Sequence, residues 1–188
     1  SEMCIRDREE VVDLTLRAYH RTPEMHLREG SLVTDWGRHN IGYLKDITPY
    51  GATFQPLDLK GYQKEKALQY VLLRDAYERL YRYESNLHEA NVQWREHLNT
   101  CYDEFVMRYG NLNAKQNVKL VMMDAGGRDI LSLERVKNGK FVKADIFERP
   151  VSFAVESHAN VGSPEEALSA SLNKFGTVDL DYMREITD

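Results

Sequence analysis

Residues 59–109 contain no proline and a single glycine, Gly61, near their start. A stretch without helix breakers is expected to be helical. Leu73, Ala76, Leu80, Tyr83 and Leu87 recur at alternating three- and four-residue steps, and Trp94, Leu98, Cys101, Phe105 and Tyr109 nearly repeat that spacing. Each half therefore carries one apolar stripe. One continuous helix would be a rod of about 75 Å, at 1.5 Å per residue. The polar run from Glu84-Ser85-Asn86 to Asn91 instead favours two antiparallel helices whose stripes face each other. Helices of this length depend on packing, so the stripes are expected to be buried.

The flanking segments are of a different kind. Residues 9–21 place Val12, Leu16 and Tyr19 at helical spacing before Thr22-Pro23, which predicts one short amphipathic helix. From Gly30 onward, three β-prone runs at 31–36, 41–45 and 52–57 are separated by Gly37-Arg38-His39-Asn40 and Thr48-Pro49-Tyr50-Gly51. This is the signature of a small meander. Beyond Gly110 a short helix is expected over 115–123, stopped by Gly126-Gly127. Extended runs at 130–136 and 140–146 flank Lys137-Asn138-Gly139, and Asn-Gly between alternating runs marks a tight β-hairpin. Ser163-Pro164-Glu165-Glu166 reads as an N-cap, first-turn proline and capping-box start of a helix ending near Gly176, with another helix beginning near Asp179. The fold class read from the sequence is α+β: a long antiparallel helical hairpin, a small N-terminal β meander, and a C-terminal β-hairpin with short helices. The short helix and meander occupy 9–58, the helical hairpin 59–112, and the β-hairpin with short helices 113–188.

The composition, 42% hydrophobic and 29% charged over 188 residues, is that of a globular chain. A net charge of -5 argues against a surface that grips nucleic acid everywhere, because phosphate neutralisation needs clustered cations. Two cysteines, Cys4 and Cys101, make no disulfide framework, and together with the absence of any bilayer-length apolar run they lead to the expectation of a reduced, cytoplasmic protein without a membrane partner. Both ends read as cut. Met3-Cys4-Ile5-Arg6-Asp7-Arg8 back-translates to a transposase adaptor used for sequencing libraries, so residues 1–8 are read as an assembly scar.

Several longer motifs carry a resemblance. They are Tyr102-Asp103-Glu104-Phe105-Val106-Met107-Arg108-Tyr109-Gly110-Asn111-Leu112-Asn113, Asp124-Ala125-Gly126-Gly127, Leu131-Ser132-Leu133-Glu134, Lys143-Ala144-Asp145-Ile146-Phe147, and Ser171-Leu172-Asn173-Lys174-Phe175-Gly176 followed by Val178-Asp179-Leu180-Asp181-Tyr182-Met183. From about Gly30 to its end the chain resembles a connecting region of very large bacterial proteins that fuse an adenine-specific DNA methylase to a Swi/Snf-type helicase on mobile elements. The resemblance implies a non-catalytic connecting or scaffold segment whose partners are the other domains of the same protein. The alternative is a free-standing protein-interaction adaptor that docks through the helical hairpin.

No catalytic motif accompanies the resemblance. None of the five prolines precedes a second proline, which removes the tetrapeptide that cradles a flipped adenine. Gly-Lys occurs only at Gly139-Lys140, without a phosphate loop before it. Catalytic, cofactor-binding and metal residues are accordingly expected to be absent from this segment. Asp124 to Asp129 has the glycines and carboxylates of a phosphate or metal loop, but a turn leading into a strand is the commoner use of such a run. The six histidines, at 20, 26, 39, 88, 97 and 158, lack ligand spacing. The candidate nucleic-acid contacts are Arg135, Lys137, Lys140 and Lys143, four cations on one predicted hairpin interleaved with Glu134 and Asp145. The tyrosines of the helical region, and Trp36 and Trp94, are read first as core residues.

Overall fold

The computed structural model describes residues 11–20 and 27–154. It divides into two compact units: Ser1–Glu78 with Glu96–Ala144, and Arg79–Arg95 with Asp145–Asp188.

The first unit contains a four-stranded antiparallel sheet in the order β1-β4-β3-β2, formed by β1 (Arg17–His20), β2 (Leu32–Asp35), β3 (Asn40–Lys45) and β4 (Gly51–Pro56). The last three strands are the expected meander. β1 replaces the amphipathic helix predicted over 9–21. Val11, Leu14 and Leu16 are exposed, whereas Tyr19 stacks on Phe54 with ring centroids 6.2 Å apart. Pairing of Arg17 with Phe54 and Tyr19 with Ala52 satisfies the outer edge of β4, so tertiary pairing overrides the helical spacing of three apolar residues. Val33, Leu44 and Phe54 form the buried centre of the sheet. Gly42 is required there: a Cβ at this position would lie 2.3 Å from the Gln55 carbonyl oxygen of the neighbouring strand.

The expected helical hairpin is α1 (Gly61–Leu87) followed by α2 (Val92–Tyr109). Both helices run through both units. In the first unit the beginning of α1 meets the end of α2, where Tyr62 and Tyr109 pack edge to face at 5.4 Å. Leu73, Ala76, Leu98, Cys101, Phe105 and Tyr109 are buried, as their spacing predicts. In the second unit the chain reverses at 88–91, with His88 at φ 52° closing α1. The polar run from Glu84 is not loop as a whole. Glu84 stays inside α1, and its buried carboxylate takes two hydrogen bonds from Arg95, at 2.6 and 2.8 Å. It also accepts the Asn91 amide at 2.8 Å, while the Asn91 side chain caps α2 by accepting the Trp94 amide at 2.9 Å. Trp94 packs between Tyr83 and the Arg79 guanidinium. Leu87, the end of the first predicted stripe, is exposed.

α3 (Lys115–Met123) has the predicted bounds. The next segment departs from expectation: residues 127–131 form a short helix, α4 (Gly127–Leu131), where the beginning of a strand was expected. A Cβ on Gly127 would stand 1.9 Å from the Val121 carbonyl oxygen, so the turn from α3 into α4 closes only because this residue has no side chain. β5 (Glu134–Lys137) and β6 (Lys140–Lys143) make the expected hairpin, and a 3-10 turn over Asp145–Phe147 follows where β6 was expected to continue. Trp36 lies in another 3-10 turn and is 54% exposed, contrary to its reading as core. The helices expected from Ser163 and Asp179 lie outside the described residues.

Candidate nucleic-acid interface

The β5–β6 ribbon turns at Asn138 (φ 54°) and Gly139 (φ 76°), two consecutive left-handed residues as a type I′ turn requires. Its register pairs Glu134 with Lys143, Arg135 with Val142, Val136 with Phe141 and Lys137 with Lys140. Side chains alternate along a strand and paired residues share a face. Arg135, Lys137, Lys140 and Val142 therefore stand on one face, and Glu134, Val136, Phe141 and Lys143 on the other.

The structure divides the four predicted contacts accordingly. Arg135, Lys137 and Lys140 are exposed and share a face. Lys143 is turned onto α2, where its ammonium donates to Asn99 Oδ1 at 2.7 Å, pairs with Asp103 at 3.0 Å and lies 5.6 Å from the Tyr102 ring centroid.

Glu134 fixes the base of the ribbon. Its buried carboxylate accepts the Tyr102 hydroxyl at 2.7 Å, Asn111 Nδ2 at 2.9 Å, the Leu112 amide at 3.0 Å, and both the amide and Nδ2 of Asn113 at 2.9 Å. Burial by itself raises the Glu134 pKa, but the hydrogen bonds from Tyr102, Asn113 and Asn111 outweigh it and hold the group below its ordinary value. Burial, then the bond to this carboxylate, pushes the Tyr102 hydroxyl well above its ordinary pKa. In the sequence alone Glu134 is one acid among the hairpin cations. The signal that marks it is the concentration of donors in Asn111-Leu112-Asn113 after a helix end.

Two further polar centres hold the first unit. Asp124 accepts the Leu32 amide of β2 at 2.9 Å, the Tyr70 hydroxyl at 2.6 Å and Arg74 Nη1 at 2.8 Å, with Asp124 and Arg74 both buried. Its oxygens are committed to a sheet strand and to α1. The run from Asp124 to Asp129 is thus a helix-to-helix corner rather than a turn into a strand, and its leading carboxylate faces Arg74. Asn117 donates to the carbonyls of Tyr109, Gly110 and Asn111 at 2.9, 3.2 and 2.7 Å, capping the C-terminus of α2 beyond Gly110 at φ 88°. Its own oxygen accepts the Lys66 ammonium at 3.0 Å. Burial lowers the Lys66 pKa. Nothing local in the sequence marks Arg74, Lys66 or Asn117 as interacting groups, and Asp124 stands out there only as part of a glycine-rich turn.

Among the described residues no group of three or more His, Cys, Asp or Glu is placed to hold a metal ion. None of their helices is long and apolar enough to cross a membrane. Residues 160–188, beyond the described residues, match the model of a family described as a probable helicase, winged helix domain. No curated protein and no solved structure is matched by the chain.

Proposed function

We propose that this chain is a helicase-associated, non-catalytic connecting segment that leads into a winged helix region and works next to DNA. The observation that carries the reading is the match of residues 160–188 to the probable-helicase winged helix family. The fold supports a structural rather than a chemical role. Motifs that gave the chain its resemblance, Tyr102 to Asn113 and Leu131 to Glu134, converge on the Glu134 carboxylate. A third, beginning at Asp124, is tied by its carboxylate to Arg74 and Tyr70. These residues join secondary-structure elements.

The finer form of the proposal is that the parent protein couples this segment to an adenine-specific DNA methylase as well as a helicase, on a mobile element, in the cytoplasm. Its partners are then the other domains of that protein and DNA, with the ribbon cations as the nearest candidates for phosphate contact. The adaptor alternative has no stronger support, since Leu73, Leu80, Leu98 and Phe105 of the two stripes are buried in the fold. Long-read sequencing of the source DNA through both ends of the reading frame tests the parentage. A downstream ATP-binding loop is expected, together with an upstream Asn-Pro-Pro-Tyr-type motif for the methylase form. A frame lacking the ATP-binding loop would overturn the helicase association, and one lacking only the methylase motif would overturn the fusion.

A further inference from the structure

We infer that the ribbon meets duplex DNA through one face only: Arg135, Lys137 and Lys140 contact the phosphate backbone, and Lys143 does not. The inference rests on the DNA reading above and adds to it which side chains make the contact.

The register carries the argument. Arg135 and Lys137 are two residues apart on β5, about 7 Å, and Lys140 faces Lys137 across the ribbon at about 5 Å. Three exposed cations are thereby clustered on one face of a chain whose net charge is -5. No acid shares that face between Glu134 and Lys143, because Glu134 belongs to the opposite face and is buried at the ribbon base. The positive-φ pair Asn138-Gly139 and the hydrogen bonds to Glu134 fix the ribbon at its two ends. The backbone that carries the cluster is therefore ordered before binding.

The same alternation selects the occupant. Single-strand binders combine cations with aromatic rings on which bases stack. Here Phe141, the ribbon's aromatic residue, stands on the other face, and the fourth member of the cationic face is Val142. A cationic face without a ring offers unpaired bases no stacking surface and suits the phosphate backbone of a duplex. Lys143 is excluded by position as well as by its bonds to Asn99 and Asp103.

The test uses the full chain and a fluorescently labelled mixed-sequence duplex, with affinity measured across a salt series. Each phosphate neutralised contributes about 0.9 to the log-log slope. Changing Arg135, Lys137 and Lys140 together to Ser is expected to reduce the slope by roughly 2 to 3, and the tip pair Lys137→Ser with Lys140→Ser by about 2. Lys143→Gln, and the equal charge change Lys45→Ser, Lys115→Ser and Lys119→Ser, are expected to leave it unchanged. An unaltered slope in the ribbon variants, an equal drop in either control, or tighter binding of single strands than of duplex would overturn the inference. If the unaltered chain binds no duplex at low salt, the DNA reading itself falls, which is a different result from a wild type that binds with a slope indifferent to the ribbon.

Discussion

The Tyr102 hydroxyl donates a 2.7 Å hydrogen bond to the Glu134 carboxylate, joining α2 to the first residue of β5 across 32 positions of sequence. The carboxylate is buried and receives four more bonds from Asn111, Leu112 and Asn113. Its pKa is depressed in the folded protein. A depressed carboxylate contributes stability that is present above its unfolded pKa and lost as pH falls through the folded one. Urea unfolding followed from neutral pH downward should show stability falling below the ordinary glutamate value of about 4.3. Glu134→Gln should be less stable at neutral pH, because its amide turns donors toward donors, and its acid dependence should be shallower. Tyr102→Phe should cost about 1.5–3 kcal/mol at neutral pH, the range for a bond to a charged group. An acid profile for Glu134→Gln parallel to the wild type would remove the assignment.

Arg74 and Asp124 form a second buried link, between α1 and the corner after α3. Removing Asp124 leaves Arg74 with the largely exposed Asp75 alone, 3.0 Å from its guanidinium, and removing Arg74 leaves the Asp124 carboxylate without a cation, so either change is expected to cost up to the about 3–5 kcal/mol of a broken buried pair. Asp124→Ala is expected to lose that much in chemical denaturation, and Arg74→Met a comparable amount. The double variant should lose clearly less than the sum, since the second change removes the charge that the first left stranded. Additive losses would mean that the pair does not act as a unit.

These two centres explain how far the sequence could be read. The helices α1, α2 and α3, the meander strands and the Asn138-Gly139 turn were legible because local signals dictate them: breaker-free periodicity, turn residues and paired left-handed positions. β1 was not, because its extended form comes from β4, which lies some thirty positions away in sequence. The start of β5 was also misplaced. Glu134 begins the strand because loop donors 21 to 23 positions earlier hold its carboxylate, and no local preference encodes that. On the candidate interface, spacing gave all four cations, but their division between faces depends on the register. Pairing of Glu134 with Lys143 sets Lys143 on the face opposite the other three.

Two glycines should be intolerant for reasons of space alone. A Cβ on Gly42 would approach the Gln55 carbonyl oxygen to 2.3 Å, and one on Gly127 the Val121 carbonyl oxygen to 1.9 Å. Both obstacles are backbone atoms, so a strand or a helix corner must move. Gly42→Ala and Gly127→Ala should each cost at least about 1–3 kcal/mol, the usual penalty of forced packing. Gly37→Ala serves as the comparison, because its nearest obstacle is the Asp35 carboxylate at 3.6 Å. Thermal melts should place the first two well below wild type and the third close to it. Equal melting temperatures for all three would contradict the close approaches.

Asn117 supplies the last test, because its one amide serves three carbonyls at the end of α2 while its oxygen receives Lys66. Asn117→Ala removes the cap and takes away one of the two oxygens that the Lys66 ammonium contacts, the other being the Gln116 carbonyl at 3.1 Å. A cap alone is worth about 0.5–2 kcal/mol in the better-measured N-terminal case, and a buried ammonium short of an acceptor adds to the loss. Asn117→Asp separates the two roles. It keeps an acceptor for Lys66 and adds a countercharge, but it sets a carboxylate oxygen against carbonyls that need a donor. Lys66→Met does the reverse, leaving the cap in place and removing the ammonium, whose pKa burial already lowers. Amide hydrogen exchange around the α2 C-terminus should therefore accelerate in Asn117→Ala and Asn117→Asp and stay near wild type in Lys66→Met. If Lys66→Met opens that end as much as Asn117→Ala does, the lysine rather than the cap holds the helix terminus.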